Sequence, residues 1–287
     1  MQPEARLIRC RWPELAAPYV TALREAVAYI FARWEPVGIV AAGTIVRGTP
    51  SPTSDLDLQV LHTEPTRQRV QRRFRGVPAE IFVNPPARIA GYFEAERRDG
   101  RPRTAHMFAT GFVIFDADAC VEALRERAVA VLGTPPDPSP EFLVRYRYAV
   151  ATGLEDAEDV ASADPDLCAA LLHRAVESAI EYRFWVGHRW QPRPKDTLAA
   201  LGTLDAPLAA AVRAFYRAAD LRERGRLARE IVGRTSGATG FFEWESPVEP
   251  LPAAAGGAMP TATPDPAPLA APEPATPPGA RAQGATG

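Results

Sequence analysis

The first 132 residues carry apolar side chains at two different spacings. From 18 to 34 they recur every three or four positions and stop before Pro36, which predicts an amphipathic helix. The apolar run at 37–42 predicts a short strand buried on both faces. From 55 to 61 polar and apolar residues mostly alternate, which predicts a half-buried strand. Further strands are predicted at 77–83 and 112–115, and further helices at 87–98 and 119–132.

The second half carries helical spacing only. Helices are predicted at 141–159, 165–188 and 205–224, joined by short links as in an antiparallel bundle. A Gly- and Pro-rich break at 133–140 separates the two halves. We therefore predict an α+β protein with a small mixed β-sheet domain and flanking helices at 1–134. A C-terminal helical bundle is predicted at 139–246, and a Pro- and Ala-rich tail, expected to be disordered, at 247–287.

Composition narrows the function classes. The chain has 287 residues with a net charge of −2, so it has no basic character that would indicate a nucleic-acid partner. Its cysteines, Cys10, Cys120 and Cys168, lie too far apart for a metal motif and favour reduced thiols. No apolar run is long enough to span a membrane, and residues 1–14 lack the apolar core of a signal peptide. We expect a cytoplasmic protein with no membrane partner.

Two aspartates mark the candidate chemistry. Asp55 and Asp57 lie two positions apart on a predicted strand, so they share one face. Two adjacent carboxylates repel each other, and a divalent cation is the usual way to keep both ionised. Oxygen ligands of this kind favour Mg²⁺, which also binds phosphate. Glu80, on the predicted strand 77–83, is the natural third ligand. The alternative is a surface strand with two solvated aspartates.

A small turn precedes this strand. Gly43 allows close approach of the backbone to another group, and the hydroxyl and amide of Thr44 can bind phosphate oxygens. Arg47 could add positive charge near the phosphates. The alternatives are an ordinary turn and a surface arginine. The basic segment 67–75 is either a solvated face or an attractor for an anionic nucleotide.

The order of these pieces resembles the DNA polymerase β-like nucleotidyltransferase superfamily, and within it the bacterial antibiotic (aminoglycoside-type) nucleotidyltransferases. The resemblance covers roughly residues 17 to 235 and rests on Gly43, Thr44, Asp55, Asp57 and Glu80. It implies that Asp55, Asp57 and Glu80 hold Mg²⁺ against a nucleoside triphosphate. Gly43 and Thr44 would hold the β- and γ-phosphates, and Glu80 would lie near the attacking hydroxyl.

The resemblance also implies a reaction. A nucleoside monophosphate, AMP from ATP, would pass to a hydroxyl of a small acceptor with release of pyrophosphate. The family suggests an aminoglycoside-like acceptor and a role in antibiotic resistance. By analogy only, a homodimer with the site between subunits is an option. Thr44 replaces the serine common after this glycine, which keeps the hydroxyl.

A general base is expected from the helical half, where the kanamycin enzyme of this family takes its own. His173, Glu177 and Glu181 follow one another at i, i+4 spacing and share a helix face. Glu177 is the predicted catalytic base and Glu181 the second choice, with a solvated helix face as the alternative. Lys195, in a loop predicted to face the sheet domain, is a candidate phosphate contact or an ordinary surface lysine.

The sequence is also compatible with two other functions. An antitoxin-type nucleotidyltransferase would use the same chemistry on a protein acceptor, although such proteins are often shorter and lack a full helical domain. A non-catalytic nucleotide-binding module would keep the fold without turnover. That third interpretation would be favoured if Glu80 lay away from Asp55 and Asp57.

Overall fold

A computed structural model describes residues 6–248. Its centre is a five-stranded sheet in the order β3-β4-β2-β1-β5. The strands are β1 (Gly38–Ala42), β2 (Leu56–Leu61), β3 (Gln68–Phe74), β4 (Val77–Asn84) and β5 (Phe112–Asp116). Strands β2 and β4 pair in parallel, whereas the other neighbours pair antiparallel, so the sheet is mixed.

Helices cover both faces of this sheet. They are α1 (Ala17–Arg33), α2 (Gly43–Val46), α3 (Pro86–Arg98), α4 (Arg103–Thr110) and α5 (Cys120–Gly133). Helix α1 shares one apolar core with the side chains on one sheet face, among them Leu56, Leu58 and Val60. Helices α3, α4 and α5 share a second core with the opposite face, which includes Leu61. The sheet is therefore the middle layer of three.

This layering corrects the expectation for β2. The alternating pattern predicts a half-buried strand, but both faces of β2 are covered, and Gln59 on the second face is buried with Leu61. Strand β1 is buried at all five positions, as predicted. Strand β3, which is the exposed edge of the sheet, and helix α4 are absent from the sequence prediction.

The second half of the described chain is helical. Its helices are α6 (Pro140–Asp159), α7 (Pro165–Val186), α8 (Thr197–Leu204), α9 (Ala206–Arg217) and α10 (Leu221–Ser236), with a 3₁₀ turn at Pro194–Asp196. They enclose a third core that includes Leu154, Val176 and Ile231. The single helix predicted at 205–224 is wrong, because the chain breaks after Arg217 and restarts at Asp220.

The restart has a local cause. The side chain of Asp220 accepts a hydrogen bond from the backbone N–H of Glu223 at 3.0 Å, which is an N-cap. Ser139, Asp164 and Asp205 cap α6, α7 and α9 in the same way. Short polar residues at these four positions therefore divide the second half into separate helices.

The α+β fold class is confirmed by this arrangement. The described residues up to Trp244 form one compact unit. The predicted division at 134–139 stays a prediction, and the predicted tail at 247–287 lies almost wholly outside the described residues. Within residues 6–248, no helix is both long enough and apolar enough to cross a membrane.

Candidate metal and nucleotide site

The parallel pairing of β2 and β4 brings the acidic residues together. Asp57 and Glu80 are register partners on the two strands, and Asp55 lies just before β2 begins. One carboxylate oxygen from each of Asp55, Asp57 and Glu80 can be chosen so that all three lie within 4.8 Å of one another. All three residues are half-buried. Three side chains from two strands thus form one acidic cluster.

The cluster carries more negative charge than its surroundings neutralise. Burial, followed by the charges of Asp55 and Glu80, raises the pKa of Asp57 from 3.8 to about 6. Arg47 and Arg69 oppose this rise without cancelling it. Three converging oxygen ligands with uncompensated charge fit a hard divalent cation such as Mg²⁺. The donor set is therefore suitable for the metal that the sequence suggests.

Glu80 has partners of its own. The Nη2 nitrogen of Arg69 lies 2.8 Å from both carboxylate oxygens of Glu80. The side-chain amide of Gln71 donates to Oε1 at 2.6 Å. Arg69 and Gln71 lie two positions apart on β3, so they share the face that Glu80 occupies on β4. The third candidate ligand is hence already hydrogen-bonded on its solvent side.

Gly43 makes close packing around Asp57 achievable. Its φ angle is +90°, in the region that side-chain-bearing residues rarely adopt. A Cβ atom at this position would lie 2.7 Å from Oδ2 of Asp57, which is closer than carbon and oxygen can approach. Glycine is therefore required here both by the backbone conformation and by the nearness of a candidate metal ligand.

The loop between α2 and β2 is held by hydroxyl groups. Thr44 Oγ1 lies 2.7 Å from Ser54 Oγ, and Ser54 Oγ accepts a hydrogen bond from the N–H of Ser51 at 2.8 Å. The N–H of Thr49 donates to the carbonyl oxygen of Thr44 at 3.0 Å. Thr44 thus orders the loop that delivers Asp55, and Ser54 is a residue that sequence reasoning missed.

A group of positive side chains borders the cluster. Arg47 caps the C-terminal end of α2 and is near enough to lower the pKa of Asp57. Burial, together with the charges of Arg193 and Arg47, lowers the pKa of His106 on α4. Arg47 and Arg193 thus both place positive charge near His106. Neither His106 nor Arg193 is indicated by any sequence motif.

Gln59 lies on the same face of β2 as Asp57, two positions further along. It is buried, and its amide nitrogen lies 3.1 Å from the sulfur of Met107 on α4. Its Oε1 atom has no hydrogen-bond partner among the described residues. A buried amide oxygen without a partner costs desolvation free energy, so Gln59 is a polar group that its surroundings leave unsatisfied.

The candidate base Glu177 belongs to a different part of the fold. Its side chain is 59% exposed and lies 3.5 Å from Nε2 of His173 on α7. Glu181, one turn later, pairs with Arg101 and accepts a 2.7 Å hydrogen bond from Tyr146. No hydrogen bond or ion pair within residues 6–248 joins Glu177 to the acidic cluster.

Lys195 lies in the 3₁₀ turn Pro194–Asp196, and no hydrogen bond or ion pair within the described range links it to the cluster. Its loop does contact the sheet half. The N–H of Gln191 donates to the carbonyl of Gly100 at 2.8 Å, and Trp190 Nε1 donates to the carbonyl of Leu132 at 3.2 Å. Within this loop it is the charge of Arg193 that lowers the pKa of His106.

No protein-family model matches the sequence, and comparison with curated proteins finds no significant match. Solved structures that match include a nucleotidyltransferase-like protein from Exiguobacterium sibiricum, with 12% sequence identity and a TM-score of 0.48. The match covers 75% of this chain and 73% of that chain.

Proposed function

We propose that this protein is a metal-dependent nucleotidyltransferase that transfers a nucleoside monophosphate from a triphosphate to a hydroxyl group of a small molecule. AMP from ATP is the proposed donor group, and pyrophosphate is the second product. The observation that carries this proposal is the meeting of Asp55, Asp57 and Glu80 within 4.8 Å beside a glycine turn. Such a cluster is suited to a cation that in turn binds phosphates.

The roles of the residues follow from their positions. Asp55, Asp57 and Glu80 would hold Mg²⁺, which when bound would neutralise charge on the triphosphate. Gly43 lets the Asp57 carboxylate pack against the turn, and the turn and Arg47 would together contact the phosphates. The Thr44 hydroxyl is shared with Ser54, so we assign Thr44 to ordering the loop as well as to binding phosphate.

The chemical step is a displacement at the α-phosphorus. The acceptor oxygen forms a new bond to phosphorus, the bond to the bridging oxygen of the β-phosphate breaks, and pyrophosphate leaves with that electron pair. The acceptor proton passes to a base. Most of the rate enhancement would come from positioning the reactants and from electrostatic stabilisation.

Glu177 is the proposed base. Glu181 already accepts hydrogen bonds from Arg101 and Tyr146, so its carboxylate has less capacity to take a proton. The Glu177 carboxylate lies 3.5 Å from the half-exposed His173, is close enough to Tyr216 to raise the pKa of that hydroxyl, and is open to solvent. An aminoglycoside-like acceptor, which is polycationic, would suit this acidic helix face and would bring its hydroxyls with it.

The proposal is tested by incubating the protein with labelled ATP, Mg²⁺ and separate panels of aminoglycosides, other hydroxylated small molecules and proteins. Pyrophosphate release with a small acceptor supports the proposal, and Asp57→Asn should abolish it because a metal ligand is lost. Asp118→Asn removes an exposed carboxylate remote from the cluster and should leave the rate unchanged. Labelling confined to a protein would favour the antitoxin-type function instead. ATP binding without any turnover would favour a non-catalytic module.

Glu177→Gln separates the base from the rest of the machinery. We expect kcat to fall while ATP binding, measured by calorimetry, stays the same, because Glu177 lies outside the acidic cluster. The pH profile should also lose its acidic limb. An unchanged kcat would assign the base to another residue.

A further inference from the structure

Arg69 contacts the acidic cluster through Glu80, and the proposed function assigns no role to this contact. It lies on edge strand β3 directly opposite Phe82 of β4, and its guanidinium carbon stands 5.2 Å from the centre of the Phe82 ring. From there Nη2 contacts both oxygens of Glu80 at 2.8 Å. Stacking on Phe82 thus fixes the direction from which the charge of Arg69 approaches Glu80.

This pairing uses the oxygens that a metal would need. Mg²⁺ binds carboxylate oxygens at about 2.0–2.1 Å and demands near-octahedral geometry. In the described structure both oxygens of Glu80 accept from Arg69, and Oε1 also accepts from Gln71. A metal bound at Glu80 would stand close to the guanidinium, and the two positive charges would repel each other. Arg69 and a metal therefore compete for Glu80.

Arg69 can give way without disturbing the core. Its side chain is 58% exposed, whereas that of Glu80 is 23% exposed, so the arginine lies on the solvent side of the pair. Within residues 6–248, Glu80 is its one carboxylate partner at ion-pair distance. A released guanidinium would remain at the border of the cluster without a counter-charge, where the triphosphate is proposed to bind.

We propose that Arg69 is a displaceable counter-ion that pairs with Glu80 in the metal-free protein, yields Glu80 to the metal, and then contacts a phosphate of the incoming nucleotide. This inference rests on the proposed function. It makes the metal and the nucleotide bind with positive coupling, because each removes an obstacle to the other. Arg69 thus neutralises Glu80 as long as the metal and the nucleotide are absent.

The inference predicts effects of opposite sign for one substitution. Arg69→Gln removes the competitor, so metal alone should bind more tightly, by about threefold to tenfold for a partly exposed ion pair. The same change removes the phosphate contact, so a triphosphate should bind the metal-loaded protein about threefold to tenfold more weakly. A merely structural role for Arg69 would weaken both interactions.

Arg72 supplies the matched control. It lies on the same strand but faces the other side, where its guanidinium stacks over Tyr29 at 4.9 Å. Arg72→Gln removes the same charge from β3 without touching Glu80. We expect it to leave both affinities within twofold of the wild type, since its charge acts at a longer and more screened distance.

The experiment titrates Mn²⁺ into the wild type, Arg69→Gln and Arg72→Gln, with electron paramagnetic resonance reporting free metal. A second titration adds α,β-methylene-ATP to each Mn²⁺-saturated protein. Tighter metal binding with weaker nucleotide binding in Arg69→Gln alone supports the inference. Metal affinity that is unchanged or reduced in Arg69→Gln overturns it while leaving the proposed function standing. No saturable Mn²⁺ binding in any of the three proteins overturns both.

Discussion

Two partly buried carboxylates in this molecule have opposite surroundings. Glu181, at the contact between the two halves, faces Arg101 from the sheet half and accepts a hydrogen bond from Tyr146 at 2.7 Å. Asp57 instead faces two further carboxylates, and its pKa is raised to about 6 by burial and by their charge. One carboxylate is stabilised by a complete set of partners, whereas the other belongs to a cluster with an excess of negative charge.

The different surroundings of Glu181 and Asp57 indicate different roles, one in stability and the other in ligand binding. Burial and the neighbouring Glu181 raise the pKa of the Tyr146 hydroxyl, so that it stays a donor and the contact between α6 and α7 is held. At the acidic cluster the repulsion is a cost to the folded protein that a bound cation would remove. Glu181 is thus explained by stability, whereas the surroundings of Asp57 fit the cation that we propose to bind there.

Among substitutions that test the difference between Glu181 and Asp57, Gly43→Ala is expected to have the largest effect. The new Cβ would meet Asp57 Oδ2 at 2.7 Å and would force a residue with a side chain to a φ of +90°. We expect a loss of about 1–3 kcal/mol in the free energy of unfolding and a metal affinity lowered more than tenfold. Urea denaturation and Mn²⁺ titration measure the two effects.

Gly48→Ala provides the matched control. Gly48 has a φ of +76°, but its added Cβ would meet nothing within 4 Å. It should therefore show the backbone strain without displacing Asp57, so stability falls while metal binding is retained. Equal loss of metal binding in both variants would contradict the role assigned to Gly43.

A smaller effect concerns pH and the charge on Asp57. Because the folded protein raises this pKa from 3.8 to about 6, it binds the proton more tightly than the unfolded chain does. The associated stability is present in full below pH 4 and is lost as pH rises through 6. In EDTA, Asp57→Asn should therefore raise stability by about 2 kcal/mol at pH 8 and by little at pH 4. Melting temperatures of both proteins at the two pH values test this, and an equal shift at both would be inconsistent with it.

The smallest effect on stability is expected at Glu181, whose carboxylate has hydrogen-bond partners on both oxygens. Glu181→Gln leaves Arg101 without its ion pair and should lower the free energy of unfolding by about 1 kcal/mol, because the pair is more than one-third exposed. Its matched control is Glu177→Gln, one turn away, which should change stability by less than about 0.5 kcal/mol. Chemical denaturation measures both, and a stabilised Glu181→Gln protein would remove the contrast with Asp57.

Sequence patterns were sufficient where the chemistry is local. The apolar run of β1, the glycine turn and the Asp55–Asp57 pair are read within a few residues of one another. The adjacency of Glu80 was expected, but the parallel register that aligns it with Asp57 is set by the packing of β2 on β4, which no local pattern encodes. Fold class was therefore predictable, and the geometry of the cluster was not.

Strand β3 was not predicted because its sequence has almost no alternation of polar and apolar residues. Arginines occupy positions on both faces of this edge strand, so the apolar alternation on which strand prediction depends is nearly absent. Only Val70 and Phe74 pack against the core below. The ion pair between Arg69 and Glu80 could consequently not be predicted, because it depends on the pairing of β3 with β4.

The central claim, that Asp55, Asp57 and Glu80 hold one divalent cation, is tested most directly by calorimetric titration of Mn²⁺ into the metal-free protein at pH 7.5. We predict one saturable site per chain in the wild type and in Asp118→Asn, with affinity reduced at least tenfold in Asp57→Asn. Absence of saturable binding in the wild type, or equal binding in Asp57→Asn, would contradict it.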